Sequence, residues 1–180
     1  KETRKHVTVA LNGDGGDESF AGYERYVAME LAENYRRVPR LLRKALVEFP
    51  IGLLPSSELK RSRVRDVKRF FKAAELGRTE RYFRWMSTFH RAEKQEVYSP
   101  EFSAAVAERD AGDEVGKWFA SANGSSVLDS TMLADQMSYL PNDLLVKVDI
   151  ATMANSLEAR SPFLDHKVIE FAASLPSDLK

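Results

Sequence analysis

The sequence contains no cysteine. Disulfides, thiolate zinc sites, iron–sulfur clusters and thiol nucleophiles are excluded together, so any catalysis must use oxygen and nitrogen groups. Histidine is scarce: His6, His90 and His166 lack metal-ligand spacing and read as surface or packing residues. No apolar run approaches the ~18 residues needed to cross a bilayer, and the charged start Lys1-Glu2-Thr3-Arg4-Lys5-His6 precedes no signal-type segment. A soluble, cytoplasmic chain without a membrane partner is expected. Net charge is lacking as well, since 27 basic residues meet 27 acidic ones.

What is present is a globular composition. With 180 residues, 43% apolar and 30% charged, the chain can build one compact unit and is neither disordered nor fibrous in type. Its neutrality hides a dipole: residues 36–72 hold 12 Lys/Arg against Glu48, Glu58 and Asp66, a surplus of nine positive charges that the rest of the chain offsets. Within that segment Lys60-Arg61-Ser62-Arg63-Val64-Arg65 and Lys68-Arg69-Phe70-Phe71-Lys72 could follow a nucleic-acid backbone. A solvated helix face with Phe70 and Phe71 partly buried is the commoner use of such a pattern, so nucleic acid is not the expected partner.

Val7-Thr8-Val9-Ala10-Leu11 is short, β-branched and apolar, which suits a strand buried on both faces. No second convincing strand follows. After a glycine-rich turn, Phe20, Tyr23, Tyr26, Val27 and Leu31 recur at three- and four-residue steps, placing them on one face of a helix from about Asp17 to Asn34. Further helices are predicted at Val38–Phe49, Glu58–Ala74, Thr79–Thr88, Ala92–Tyr98, Gly112–Ala122, Val127–Tyr139, Asp143–Leu157 and Lys167–Leu175, with the seven prolines marking starts and breaks. Trp85, Phe83, Phe89 and Met86 fall at helical steps and are expected in the core. The most loop-like stretch is Ala122-Asn123-Gly124-Ser125-Ser126.

Chemistry is concentrated in Asn12-Gly13-Asp14-Gly15-Gly16-Asp17-Glu18, where strand turns into helix. Three glycines in four positions permit positive φ and close approach of a ligand to the backbone, while the helix start offers N–H groups to an anion. The three carboxylates Asp14, Asp17 and Glu18 would repel phosphate unless Mg²⁺ bridges them to it. A Walker loop, a dinucleotide fingerprint and a calcium EF-loop all fail on spacing. A tight turn in which Asp17 merely caps the helix remains the competing reading.

A second constellation runs from Leu140 to Asp165. Leu140-Pro141-Asn142-Asp143 opens a helix with Leu144, Leu145, Val148 and Thr152 on its buried side, and Lys147, Asp149 and Ile150 are not expected all to be exposed on one polar face. Arg160 then precedes Ser161-Pro162-Phe163-Leu164-Asp165 in an extended connection, with Pro162 able to open the final helix. A buried ion-pair network and a site for an anionic substrate are both compatible with this set.

Taken together, Gly-Asp-Gly-Gly-Asp-Glu-x-Phe-x-Gly-Tyr (Gly13 to Tyr23) and Leu-Pro-Asn-Asp-Leu-Leu-Val-Lys-Val-Asp…Ala-x-Ser-Leu-Glu-Ala-Arg-x-Pro-Phe-Leu-Asp (Leu140 to Asp165) resemble the synthetase domain of glutamine-dependent asparagine synthetases. The resemblance runs through residues 1–180 and implies the middle-to-C-terminal part of that domain, one domain without the glutaminase domain. It implies a parent of α/β class, adenine nucleotide alpha hydrolase-like with helices around a parallel sheet, of which this piece is mostly α-helical with one N-terminal strand. The implied reaction is conversion of aspartate to asparagine through β-aspartyl-AMP, using ATP and Mg²⁺, with ammonia supplied from glutamine. Amidation of another substrate and a non-catalytic assembly role are the alternatives.

By the same resemblance Asn12 and Gly13, with Gly15 and Gly16, would bind ATP; Asp14 would be the acid/base or orienting carboxylate; Asp17, assisted by Glu18, would hold Mg²⁺. Lys147, Asp149 and Arg160 would support charge and orientation around the substrate, Lys147 and Arg160 as members of the catalytic set. Two departures stand out: the family pattern begins Ser-Gly where this chain has Asn12, and places Glu where Asp14 stands, one methylene longer. The family's earlier Ser-Gly-Gly-x-Asp-Ser loop and a downstream lysine are not in the sequence, so the piece alone is expected to be inactive. An orphan strand with open edges is expected to favour homo-oligomers.

Overall fold

The computed structural model describes residues 1–45, 63–89, 91–106, 111–122 and 125–180. The helix ends expected at Phe49 and Glu58, His90, and the Asn123–Gly124 part of the loop-like stretch lie outside these residues. Where length suggested one compact unit, the chain forms two, Lys1–Tyr26 with Lys117–Lys180, and Val27–Gly116. The fold is mostly helical with a small parallel sheet, and none of the described helices is long and apolar enough to cross a membrane.

In the first unit, β1 (Val9–Leu11) pairs in parallel with β2 (Glu158–Arg160), in the register Val9 to Glu158, Ala10 to Ala159 and Leu11 to Arg160. Glu158 N–H donating to Thr8 O (2.9 Å) and Asn12 N–H donating to Arg160 O (3.0 Å) extend the ladder at both ends. Two sequence expectations change here. A second strand exists, and β1 is not buried on both faces: Val9 is 39% and Leu11 73% exposed, because among the described residues only one strand lies beside them.

The helix expected from Asp17 to Asn34 is two helices, α1 (Gly16–Ser19) and α2 (Glu24–Arg37). Ala21 takes φ +58° and Gly22 N–H returns to Asp17 O at 3.0 Å, closing α1 after one turn. The break rotates the buried face, so Tyr26, Met29 and Ala32 are buried while Val27 and Leu31 are 67% and 55% exposed. Tyr26 packs with Leu128 and Met132 in the core of this unit, with Ala21 and Tyr23 against them.

Leu128 and Met132 come from α8's successor in the chain: after α3 (Arg40–Arg43), α4 (Arg63–Ala74), α5 (Arg78–Met86), α6 (Arg91–Val97), α7 (Pro100–Val106) and α8 (Ala111–Ser121), α9 spans Val127–Ala134. Ser126 Oγ caps α9 by accepting Asp129 N–H at 2.9 Å. The helix does not stop at Tyr139. It widens into a π-helix over Asp135–Leu145 with Pro141 inside, then resumes as α10 (Val146–Met153). The wider i→i+5 ladder carries the proline that would break an α-helix. Ser156, at φ +53°, and Leu157 N–H donating to Thr152 O (3.1 Å) end α10 and turn the chain into β2. A 3₁₀ turn, Pro162–Leu164, leads to α11 (His166–Ser174), capped by Asp165 on Lys167 N–H at 2.8 Å.

The second unit is helical. Its buried residues include Ala73, Ala74, Tyr82 and the fully buried Arg81. Arg81 reaches Glu33 (3.2 Å) and the carbonyls of Leu76 (3.1 Å), Ala74 and Met29 (both 3.4 Å). The core was expected one step later; Phe83, Trp85 and Met86 are half-buried and Phe89 is exposed. Phe70 stacks on Trp85 (5.9 Å) and Phe71 meets Tyr35 edge-on (5.0 Å), so these aromatics are engaged inside the unit. α7, which begins at Pro100, was not anticipated as a separate helix.

Candidate active site

The glycine-rich loop leaves the C-terminal end of β1 and is shaped by residues 161–164. Gly15 has φ +86°, and a Cβ there would lie 2.3 Å from Leu164 Cδ2, so both conformation and space demand glycine. Gly16 lies under the Phe163 ring, where a Cβ would make ordinary contact at 3.5 Å. Gly13 is different: a Cβ there meets nothing within 4 Å, leaving its backbone bare. Gly16 N–H donates to Gly13 O at 3.1 Å, and Ser161 Oγ–H donates to Asp14 O, tying the loop to the chain after β2.

The three acids separate. Asp14 is half-buried and accepts Asn12 Nδ2–H at 2.8 Å. That bond fixes the orientation of the Asn12 amide, whose buried Oδ1 has no partner among the described residues. Asp17 is exposed, with its carboxylate lying over Gly22. Glu18 is 1% exposed and accepts the Tyr23 hydroxyl at 2.6 Å, so its carboxylate sits inside the fold and away from the loop surface. Burial, the bond to Glu18 and that carboxylate's charge raise the Tyr23 hydroxyl well above its ordinary pKa, against the opposing charge of Arg25. The hydroxyl therefore stays protonated and donates.

A second shell backs this arrangement. Gln136 Nε2–H donates to Glu18 O at 3.0 Å. The Arg25 guanidinium lies 3.6 Å from the Tyr23 ring centroid and its Nε donates to the buried Asp135 at 2.9 Å. Burial and the neighbouring Asp135 carboxylate push the Tyr26 hydroxyl up in the same way. These contacts join the first motif to the start of the π-helix.

The second motif is placed less tightly. Lys147, Asp149 and Ile150 are all exposed on α10, against expectation, because this helix is covered on the Leu144, Leu145, Val148 and Thr152 side only. Arg160 is exposed and its Nε–H donates to Glu158 at 2.7 Å; its link to the loop is its main-chain carbonyl, which takes Asn12 N–H. Thus Asn12 and Asp14 are joined within the loop and Asp17 lies against Gly22, while the Lys147 and Arg160 side chains point to no partner in that loop among the described contacts.

The family model described as Asparagine synthase matches residues 1–180. The chain belongs to the asparagine synthase family. It is 32% identical over 187 aligned residues to asparagine synthetase (glutamine-hydrolyzing) 1 of Bacillus subtilis, covering 100% of this chain and 27% of that protein. It is 33% identical to a Mycobacterium tuberculosis protein provisionally named asparagine synthetase (glutamine-hydrolyzing), again over 100% of this chain and 26% of the relative. The chain thus spans about a quarter of the length of these relatives. No solved structure matches it.

Within this member of the asparagine synthase family, Ser161, Phe163 and Leu164, to which the linear pattern assigns no role, are the floor of the loop. Their signal was the proline after Ser161, which fixes a rigid turn. The Arg25–Asp135 pair had no local signal, since neither composition nor spacing pairs residues 110 positions apart, and the Glu18–Tyr23 bond, five positions long, depends on the break in the helix between them.

Proposed function

We propose that this chain supplies the nucleotide-facing loop of an ATP-dependent, asparagine-forming ligase. The observation that carries the reading is the bare backbone at Gly13, framed by the Asn12–Asp14 bond and the obligatory glycine at 15, in a chain that matches the asparagine synthase family throughout. The two strands are read as part of a larger parallel sheet of α/β class in the parent. ATP would bind across Asn12, Gly13, Gly15 and Gly16, and aspartate beside Asp14.

In this reaction an oxygen of the aspartate side-chain carboxylate attacks the α-phosphorus of ATP and the bond to the β-phosphate oxygen breaks, giving β-aspartyl-AMP and pyrophosphate. Ammonia, released from glutamine in the parent's glutaminase domain, then attacks the acyl carbon; AMP leaves, the nitrogen loses a proton, and asparagine forms. Asp14 orients the incoming nitrogen and takes that proton directly or through one water. The orphaned Asn12 Oδ1 is an acceptor suited to an N–H donor of a ligand. Lys147 and Arg160 add positive charge around the substrate in the parent.

Among the described residues no group of three or more His, Asp or Glu side chains is set to hold a metal ion. That donor set suits Mg²⁺ held chiefly by phosphate oxygens with one protein carboxylate, Asp17, and with Glu18 serving the fold. When bound, Mg²⁺ neutralises the charge of the departing pyrophosphate. We read the enzyme as cytoplasmic, with its activity in the parent protein and not in this piece.

The test uses the full parent protein. Asp14→Ala should abolish asparagine formation with helix content retained, and Asp17→Asn should sharply raise the Mg²⁺ requirement for pyrophosphate release. Unchanged pyrophosphate release in both variants would sink the assignment. A second reading, amidation of a different carboxylate, is favoured by the Asn12–Asp14 bond, which holds the shorter carboxylate to its own loop. Pyrophosphate release stimulated by another carboxylic acid and not by aspartate would select it; no stimulation by any would favour an assembly role.

A further inference from the structure

Asp17 and Glu18 are neighbours in sequence, yet one carboxylate is exposed and the other is buried. The turn at Ala21-Gly22-Tyr23 accounts for the split. Gly22 N–H donates to Asp17 O at 3.0 Å, and the next side chain, the Tyr23 hydroxyl, donates to Glu18 Oε1 at 2.6 Å. A Cβ on Gly22 would lie 2.1 Å from Asp17 Oδ1, 2.8 Å from Asp17 Cγ and 3.1 Å from Asp17 Cα. The clash involves Asp17 Cγ as well as Oδ1, so a rotation of the carboxylate tip alone does not relieve it and the side chain as a whole must move. Gly22 does not have a positive φ, which makes the missing side chain, and not the backbone conformation, the reason for glycine here. The Tyr23 ring is itself held, with Arg25 over its face and Tyr139 edge-on at 6.3 Å.

We infer that Gly22 and Tyr23 are positioning residues: Tyr23 draws Glu18 inward, and the empty volume at Gly22 receives the Asp17 carboxylate, which stays exposed. The link to metal binding rests on the function proposed above, whereas the placement of Asp17 does not. The turn therefore decides which of two adjacent acids is left exposed and able to meet a ligand. Supporting residues of this kind typically change metal affinity by roughly 10- to 100-fold when altered.

Three variants of the full parent protein test this: Gly22→Ala, Tyr23→Phe and Asp17→Asn. A crystal structure of Gly22→Ala should show the Asp17 carboxylate displaced with α1 otherwise in place. Mn²⁺ binding in the presence of ATP, followed by electron paramagnetic resonance, should weaken roughly tenfold or more in Gly22→Ala and Tyr23→Phe. The rate at saturating Mg²⁺ should change far less than the half-saturating concentration. Adding Asp17→Asn to Gly22→Ala should give no further loss. An Asp17 carboxylate found where it is now, with an alanine beside it, would overturn the inference. So would unchanged Mn²⁺ half-saturation in folded Gly22→Ala and Tyr23→Phe when Asp17→Asn alone weakens it. If Asp17→Asn leaves Mn²⁺ binding untouched, the metal assignment fails, and the crystal structure still decides whether the turn places Asp17.

Discussion

Each unit sets an arginine beside a carboxylate, with the arginine fully buried in one and part-buried in the other. In the unit of residues 27–116, Arg81 is enclosed by three main-chain carbonyls, those of Met29, Ala74 and Leu76, together with Glu33. In the unit of residues 1–26 and 117–180, Arg25 lies over aromatic rings and reaches Asp135, one residue from the amide that holds Glu18. Backbone conformations divide the same way: among the described residues, Gly15, Ala21 and Ser156 are those with positive φ, and all three belong to the unit of residues 1–26 and 117–180. Unusual backbone is concentrated around the loop, as expected where a site over-determines its geometry. The arginine of the helical unit fastens helices; that of the other sits behind a site.

The comparison can be broken most forcefully at Arg81. Arg81→Ala should cost about 3 kcal/mol, because it strips donors from buried carbonyls and from Glu33; urea unfolding and amide exchange in 27–116 would read it. A loss under about 1 kcal/mol would mean that the arginine is no fastener. Next is Gly15→Ala, expected to cost about 2 kcal/mol from its positive φ and the meeting with Leu164. Leu164→Ala in the same protein should recover the steric share and leave the conformational share, so the two costs should not add.

The smallest effect sharpens the contrast through pH. Burial works to raise the Glu33 pKa, but hydrogen bonds and charge from Arg81 and Arg78 outweigh it and leave the value below the ordinary 4.5. In the other unit, burial likewise opposes Lys180, Ser126 and Ser177, which together hold Asp129 below its ordinary 3.8. A depressed carboxylate stabilises the fold above its unfolded pKa and loses that contribution as pH falls through the folded value. Both units should therefore weaken on acidification below about pH 4. Arg81→Ala should flatten the acid limb of 27–116 alone, as followed by site-resolved exchange.

Much of the local fold was legible. The helices Arg78–Met86, Arg91–Val97, Ala111–Ser121 and His166–Ser174 fall within two residues of their predicted bounds, because apolar periodicity and prolines mark them. Glu158–Arg160 was not legible as strand: Glu-Ala-Arg has no β character, and its extended form comes from pairing with β1 across the chain. The break at Ala21 was hidden because alanine is a helix former, and only Gly22 beside it hinted at a stop. Pro141 misled in the opposite sense, since a widened helix accommodates it. At the candidate site, the glycines announced a tight loop, which Gly15 makes with its positive φ, but the burial of Glu18 against Tyr23 comes through contacts that a linear pattern does not display.

The join between Ser161 and Asp14 spans 147 positions. On the ribosome, the loop's first half emerges long before its floor, and domains tend to fold as they are completed. The intervening helical unit has time to form while residues 12–17 wait without support. Closing so long a span adds little entropy per added residue, yet it makes arrival of Ser161 and Leu164 the event that gives the loop its shape. A nascent chain therefore cannot give this loop its shape until Ser161 and Leu164 have been made.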